Sequence, residues 1–200
     1  MSAVPVFYAT TEGHTQRIAE TIAGILRGQG FDSEAVRIAP GMRSPDWSTI
    51  VSAVVGGSLH RGKHQSTVGA FLQREAAHLN RLPAAFFSVS LSAGSRNPAE
   101  VAAARDIALA CVRSAQWTPA RLVCFAGKLA YTQYGVLTRW LMRRIAAREG
   151  GPTDTSRDHD LTDWVAVRDF ALAVAADARR LERSVPAGME PALFCGEALS

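Results

Sequence analysis

Apolar and polar positions fall in alternating blocks along this chain. Runs such as Ile50-Val51-Ser52-Ala53-Val54-Val55 and Ala84-Ala85-Phe86-Phe87-Ser88-Val89 are apolar nearly throughout, as expected of parallel strands covered on both faces. Five runs of this kind predict strands over 3–9, 33–38, 50–56, 84–90 and 121–127. Helical periodicity predicts helices over 14–28, 66–80, 98–116 and 162–182. In the first of these, Ile18, Ile22, Ile25 and Leu26 share a face. Two helix starts carry local signals: Asn97-Pro98 is a cap residue before a first-turn proline, and Thr162-Asp163 supplies a cap and an acid before Trp164. The alternation predicts an α/β domain, an open parallel sheet with helices on both faces and right-handed crossovers.

Two regions break the rhythm. Residues 39–49 hold two prolines, a glycine and a tryptophan where a helix could stand, and read as a loop or one short turn. Residues 128–161 contain a helical pattern over 135–149, ended by Gly150-Gly151-Pro152. This stretch reads as an insertion within or after the last strand, with 157–161 resuming that strand. From Ser184 the periodicity stops, which predicts a mobile tail over 184–200. The expected organisation is one domain over 1–183, with an insertion at about 128–156.

Composition narrows the class. Two hundred residues can bury a core without disulfides. The three cysteines have no metal-ligand spacing; Cys111 and Cys124 read as reduced core residues, which suits a cytoplasmic protein. No apolar stretch approaches the roughly 20 residues of a bilayer span, and no secretory leader is expected before the first strand. The chain carries a net charge of +4, and the same excess arises between Lys128 and Gly150 alone. A basic segment on a neutral body points to an acidic partner: a carboxylate substrate, an anionic lipid or a nucleic acid. A solvated basic helix would look the same.

In an open α/β sheet, ligands bind beyond the carboxyl ends of the strands. The segments there are Thr10 to Thr15, Gly56 to His64 and Ser90 to Arg96, all rich in Gly, Ser or Thr. The first suits an anion at a helix N-terminus, or a capped turn with Thr11 or Thr15 near the cap. No glycine-patterned dinucleotide fingerprint and no Walker lysine is present.

Tyr8-Ala9-Thr10-Thr11-Glu12-Gly13-His14-Thr15 resembles the phosphate loop of flavodoxins. The blocks Gly57-Ser58-Leu59-His60-Arg61-Gly62-Lys63-His64, Leu82 to Val89, Gln116-Trp117-Thr118-Pro119, Phe125-Ala126-Gly127-Lys128-Leu129, Gly150-Gly151-Pro152-Thr153-Asp154-Thr155 and Thr162-Asp163-Trp164 resemble, in order, the quinone-dependent protoporphyrinogen oxidases of bacterial haem synthesis. The resemblance implies a flavodoxin-like doubly wound sheet of five parallel strands, order 2-1-3-4-5, with FMN as cofactor. It implies that Thr10, Thr11, Glu12, Gly13, His14 and Thr15 wrap the phosphate, Glu12 and His14 mainly through their backbone. Ser58, Leu59, His60, Arg61 and Gly62 would flank one side of the flavin ring, and Ser90, Leu91, Ser92, Ala93 and Gly94 the other. Asp154 and Thr155 would close over the cofactor. Neither ring-flanking segment holds an aromatic residue, leaving room for a bulky planar substrate.

The cluster His60, Arg61, Lys63 and His64 reads either as a recognition site for substrate carboxylates or the reduced flavin, or as a solvated loop. In the insertion, Leu137, Trp140, Leu141 and Ile145 share a helical face, with Arg139 and Arg143 opposite and Arg144 near its edge. With Tyr131 and Tyr134 this suits substrate or membrane contact, or packing on a sheet edge or a second subunit. No side chain is identified as a catalytic base; the chemistry is expected at the flavin. The expected partners are a porphyrinogen, a membrane quinone and an anionic membrane surface, not nucleic acid, with a homo-oligomer left open. The expected location is cytoplasmic, with peripheral contact to the inner membrane. The alternatives are a flavodoxin-type electron carrier or small FMN quinone reductase, and a flavin-free interaction module.

Overall fold

The predicted strands pair as one parallel sheet in the computed structural model, which describes residues 2–60, 62–133, 135, 140, 144, 147 and 152–184. The elements run β1 (Val6–Ala9), α1 (His14–Gly28), β2 (Ala35–Arg37), β3 (Val54–His60), β4 (Lys63–His64), α2 (Ser66–Leu79), β5 (Ala85–Ser90), α3 (Pro98–Ser114), β6 (Arg121–Ala126), β7 (Lys128–Leu129), β8 (His159–Asp160) and α4 (Trp164–Ser184). Short 3-10 turns cover Trp47–Thr49, Ser92–Gly94 and Tyr131–Gln133. The parallel strands lie in the order β2-β1-β3-β5-β6, the expected 2-1-3-4-5 arrangement.

Period-two alternation divides the core. Val6 and Tyr8 face α1 and α4, where Ile18, Ile22, Leu26, Val167, Phe170 and Val174 are buried. Phe7 and Ala9 face the opposite layer, with Phe71, Leu72, Val112 and Trp117. Cys111 and Cys124 are free thiols packed against this second layer, and burial pushes both thiols up.

Residues 39–49 form the expected loop with one 3-10 turn, anchored by a carboxylate absent from the sequence reading. Glu75 is 1% exposed and accepts hydrogen bonds from Ser44 Oγ (2.8 Å), Trp47 Nε1 (2.8 Å) and Arg74 Nε (2.6 Å). Burial pushes this carboxyl up, but the three donors prevail and hold it below its ordinary range.

Three expectations are corrected. Gly56 to His60 is strand, not loop: β3 continues to His60 and folds back through Gly62 (φ 76°) into antiparallel β4. Residues 157–161 do not resume the last sheet strand. β8 pairs antiparallel with β7 as a separate ribbon, so the insertion follows the sheet. Ser184 ends α4 and does not begin a tail; the mobile tail expected beyond it lies outside the described residues.

Candidate functional site

The crossovers bring the ends of β1, β3, β5 and β6 to one side of the sheet, where they border a cavity of about 840 Å³. Its lining includes Thr10, Thr11, Glu12, His14 and Thr15 from the first turn, Ser58, Leu59, His60 and Gly62 from the β3–β4 hairpin, and Ser90, Leu91 and Ser92 beyond β5. Three segments read separately from the sequence therefore meet at one place.

The first turn leaves its donors open. Gly13 adopts φ 82°, in the left-handed region where glycine pays no steric cost, and its N–H donates to Thr10 Oγ1 (2.9 Å). No side chain caps α1, and its first turn carries no acid. The capped-turn alternative therefore fails: neither Thr11 nor Thr15 takes the cap. The opening amide donors and the positive end of the helix dipole are left for an anion.

His14 has a role that its place in the loop did not suggest. Thr162 Oγ1 donates its proton to the Ala126 carbonyl (2.8 Å), so the 2.6 Å contact to His14 requires His14 Nε2 to be the donor. Burial lowers the imidazole pKa, with smaller contributions from Lys128 and Arg17 against the opposing Asp160. A neutral His14 thus pins the first turn to the end of β6. Asp160 reinforces the tie, accepting from Arg17 Nη1 and from Trp164 Nε1, each at 3.1 Å.

Lys128 joins the cavity wall with Gly127, both beyond the segments assigned from the sequence. Its ammonium lies 2.8 Å from Asp158, which also accepts from Thr132 N and Oγ1. The Lys128 hydrogen bond is the main cause that holds the Asp158 carboxyl down to about 2. Val89 of β5 and Glu100, Ala103, Ala104 and Ile107 of α3 supply the remaining wall. Small residues on one helix face read as core in a sequence, and the alanine-rich start of α3 was the one available signal.

Other expected site residues sit elsewhere. Ala93 and Gly94 are not in the lining. Ala93 N donates to Ser90 Oγ, and a Cβ at Gly94 would lie 2.7 Å from Ala126 Cβ, so this turn packs on the end of β6. Asp154 and Thr155 also lie outside the lining. Asp154 instead accepts from Ser156 N and Oγ and pairs with Arg157 at 3.2 Å, and the Ser156 hydrogen bonds hold its carboxyl below the ordinary range. The expectation that Tyr131 contacts substrate or membrane is corrected: it is fully buried, and its hydroxyl donates to the Pro152 carbonyl (2.9 Å). Trp140 is exposed, with the Arg144 guanidinium 5.5 Å from its ring centroid. Arg61, Tyr134, Arg139 and Arg143 lie outside the described residues.

The basic cluster also divides. Lys63 is exposed, whereas His64 turns inward, with Nε2 2.9 Å from Ser88 Oγ and its ring edge-on to Phe86. Burial pushes His64 down to about 4, so it is neutral near pH 7 and carries no charge for a ligand. Protonation therefore favours the unfolded chain. The stability held by neutral His64 is complete above about pH 6.5 and is lost as pH falls toward about 4. Between pH 7 and 4.5, urea titrations should show the wild type losing about 1–2 kcal/mol more than His64→Gln, after allowance for residual solvent contact. Equal losses would exclude His64 as the cause.

These residues fit FMN. Hydroxyls and an uncapped helix start suit its phosphate, two polar flanks suit the edges of a flat ring, and the cavity volume is that of a cofactor site. Among the described lining residues the only rings are the imidazoles of His14 and His60; none is Phe, Tyr or Trp.

Comparison with known proteins agrees. The flavodoxin domain family matches residues 5–156. Protoporphyrinogen IX dehydrogenase (quinone) of Escherichia coli K12 is 31% identical over 173 residues, covering 85% of this chain and 93% of that protein. The Leishmania major protein of the same name is 31% identical over 172 residues, covering 86% and 74%. Among solved structures, flavodoxin 1 of Bacillus cereus aligns with a TM-score of 0.52 at 15% identity, over 90% of this chain and 98% of that one. A WrbA-like flavodoxin of Agrobacterium tumefaciens aligns with a TM-score of 0.51, also at 15% identity, over 90% and 99%.

Proposed function

The chain belongs to the flavodoxin domain family, beside relatives named protoporphyrinogen IX dehydrogenase (quinone), and from that membership we propose that it oxidises protoporphyrinogen IX to protoporphyrin IX and passes the electrons to a membrane quinone. The chain is an FMN-dependent oxidoreductase; the proposal concerns its substrate, its acceptor and the roles of its residues. One observation carries it: an uncapped, acid-free helix start and two polar strand-end segments line one cavity, with no Phe, Tyr or Trp among its described lining residues.

In this reading residues 1–183 form one FMN-binding domain. The opening N–H groups of α1 and the hydroxyls of Thr10, Thr11 and Thr15 hold the phosphate, while Glu12 and His14 contribute backbone. Ser58, Leu59, His60 and Gly62 orient one edge of the ring, and Ser90 to Ser92 the other, with Ala93 and Gly94 shaping that turn from behind. FMN, when bound, supplies a two-electron acceptor at its ring. The apolar side chains of Ala103, Ala104 and Ile107 offer a wall for a flat substrate and exclude water beside the ring. Lys63 and the arginines of the insertion, Arg139, Arg143 and Arg144, supply cations for substrate carboxylates or anionic headgroups. The exposed Trp140 with Arg144 suits peripheral contact with a membrane surface. No helix of the described residues is long and apolar enough to cross a membrane.

The test is anaerobic turnover with a quinone acceptor. Porphyrin fluorescence should grow faster than in the uncatalysed reaction, and only with the FMN-loaded protein. A protein that reduces quinones from other donors but leaves porphyrinogen at the uncatalysed rate would be a carrier or quinone reductase, and the proposal would fall.

A further inference from the structure

Gln65 stands between β4 and α2, outside every motif that the sequence suggests. Its Nε2 lies 3.1 Å from Thr11 Oγ1 and 2.6 Å from Ser58 Oγ. Thr11 belongs to the first turn and Ser58 to β3, and both line the cavity. One amide thus joins the segment proposed to hold the phosphate to the segment proposed to flank the ring.

The chemistry of that amide has a direction. An amide nitrogen only donates, and it has two protons, so both hydroxyl oxygens must accept. Each hydroxyl then keeps its own proton for another acceptor. Gln65 Oε1 is buried and has no hydrogen-bond partner among the described residues. The reversed amide would accept from both hydroxyls and bury an NH2 group with no partner, and a buried orphan N–H is rarer than an under-satisfied carbonyl.

We infer that Gln65 is a donor-orienting residue of the flavin site: it holds the Thr11 and Ser58 hydroxyls as acceptors on its own side, so that both present protons to a bound ligand. The ligand class follows. Thr11 donates to a phosphate monoester and Ser58 to an acceptor on the ring edge, and a ligand rich in donors is disfavoured. This rests on the proposed placement of phosphate and ring.

Gln65→Glu separates orientation from a simple tie. A carboxylate can still bridge both hydroxyls, but only as an acceptor, so it turns both protons away from the ligand. Gln65→Met removes the bridge and leaves the hydroxyls free to rotate. Affinities of the flavin-free protein for FMN and for riboflavin are read from flavin fluorescence. Gln65→Glu should weaken FMN binding at least about ten-fold, and more than Gln65→Met, since a hydrogen bond to a charged group is at stake. Riboflavin, which lacks the phosphate, should lose less. Raising NaCl from about 0.05 to 0.5 M screens direct repulsion between the introduced carboxylate and the phosphate. The loss should persist in the high salt.

Two results would overturn the inference in distinguishable ways. If the wild type prefers FMN to riboflavin but Gln65→Glu binds FMN within two-fold of it at high salt, the orienting role fails while the phosphate placement stands. If the wild type binds FMN and riboflavin equally, the phosphate placement fails and takes the orienting role with it.

Discussion

Gly56→Val should lower the melting temperature by about 6–12 °C, the equivalent of about 3 kcal/mol in a domain of this size. Gly56 stands opposite Phe87 in the parallel β3–β5 register. A Cβ at Gly56 would lie 2.0, 2.1 and 2.5 Å from three carbons of the Phe87 ring. The ring cannot swing aside: it is fully buried, with Phe125 and Phe170 at centroid distances of 6.0 and 6.5 Å. Phe87 occupies the space that a side chain at position 56 would take, so the substitution must displace either a packed aromatic cluster or a central strand. Gly24→Ala is the control. Its Cβ would meet one atom, the Arg27 Nη2 at 3.8 Å, and alanine in a helix interior is favoured by up to about 1 kcal/mol. Thermal melts should move in opposite directions for the two variants. A Gly56→Val protein as stable as wild type would mean that the Phe87 ring is not held there.

Gly13→Asp should cost at least about 100-fold in FMN affinity while changing the stability of the flavin-free protein by less than about 1 kcal/mol. The two effects separate because nothing lies within 4 Å of the Cβ that would be added, so the aspartate fits. Its cost is the left-handed backbone, which Asp tolerates better than most residues. Its carboxylate then stands beside the uncapped start of α1, competing for the donors proposed for the phosphate and repelling that group. Flavin fluorescence titration and a urea melt of the same preparation give both numbers. Unchanged affinity would move the phosphate away from this turn.

The reach of the sequence differs from element to element. Helix α1 begins and ends where its periodicity predicts, because its apolar face and its glycine-led start are both local signals. The glycine turn before it was legible for the same reason, whereas its choice between anion site and capped turn was not. The continuation of β3 was not, because Gly56-Gly57 looks like a loop until the Phe87 ring is seen to require a glycine beside it. His64 and Lys63 look like one basic cluster, yet neighbouring strand residues face opposite ways, and the period-two rule could have separated them. Tyr131 was read by its place beside the basic insertion, but its ring closes a small cluster with Leu129, Leu91 and Leu161. Gln65 carries no signal alone, and the alanine-rich start of α3 reads as core: their chemistry comes from residues that are distant in the chain and close in the fold.

Reduction of the bound flavin by protoporphyrinogen IX, with oxygen and quinone excluded, tests the central claim most directly. The porphyrinogen gives up six electrons and each flavin accepts two, so the FMN-loaded protein is held at more than three equivalents per porphyrinogen. Flavin absorbance should then fall by three flavins for each porphyrin whose fluorescence appears, and quinone added afterwards should restore the absorbance. A flavin that stays oxidised under protoporphyrinogen IX, in a protein whose flavin dithionite reduces normally, would contradict the account.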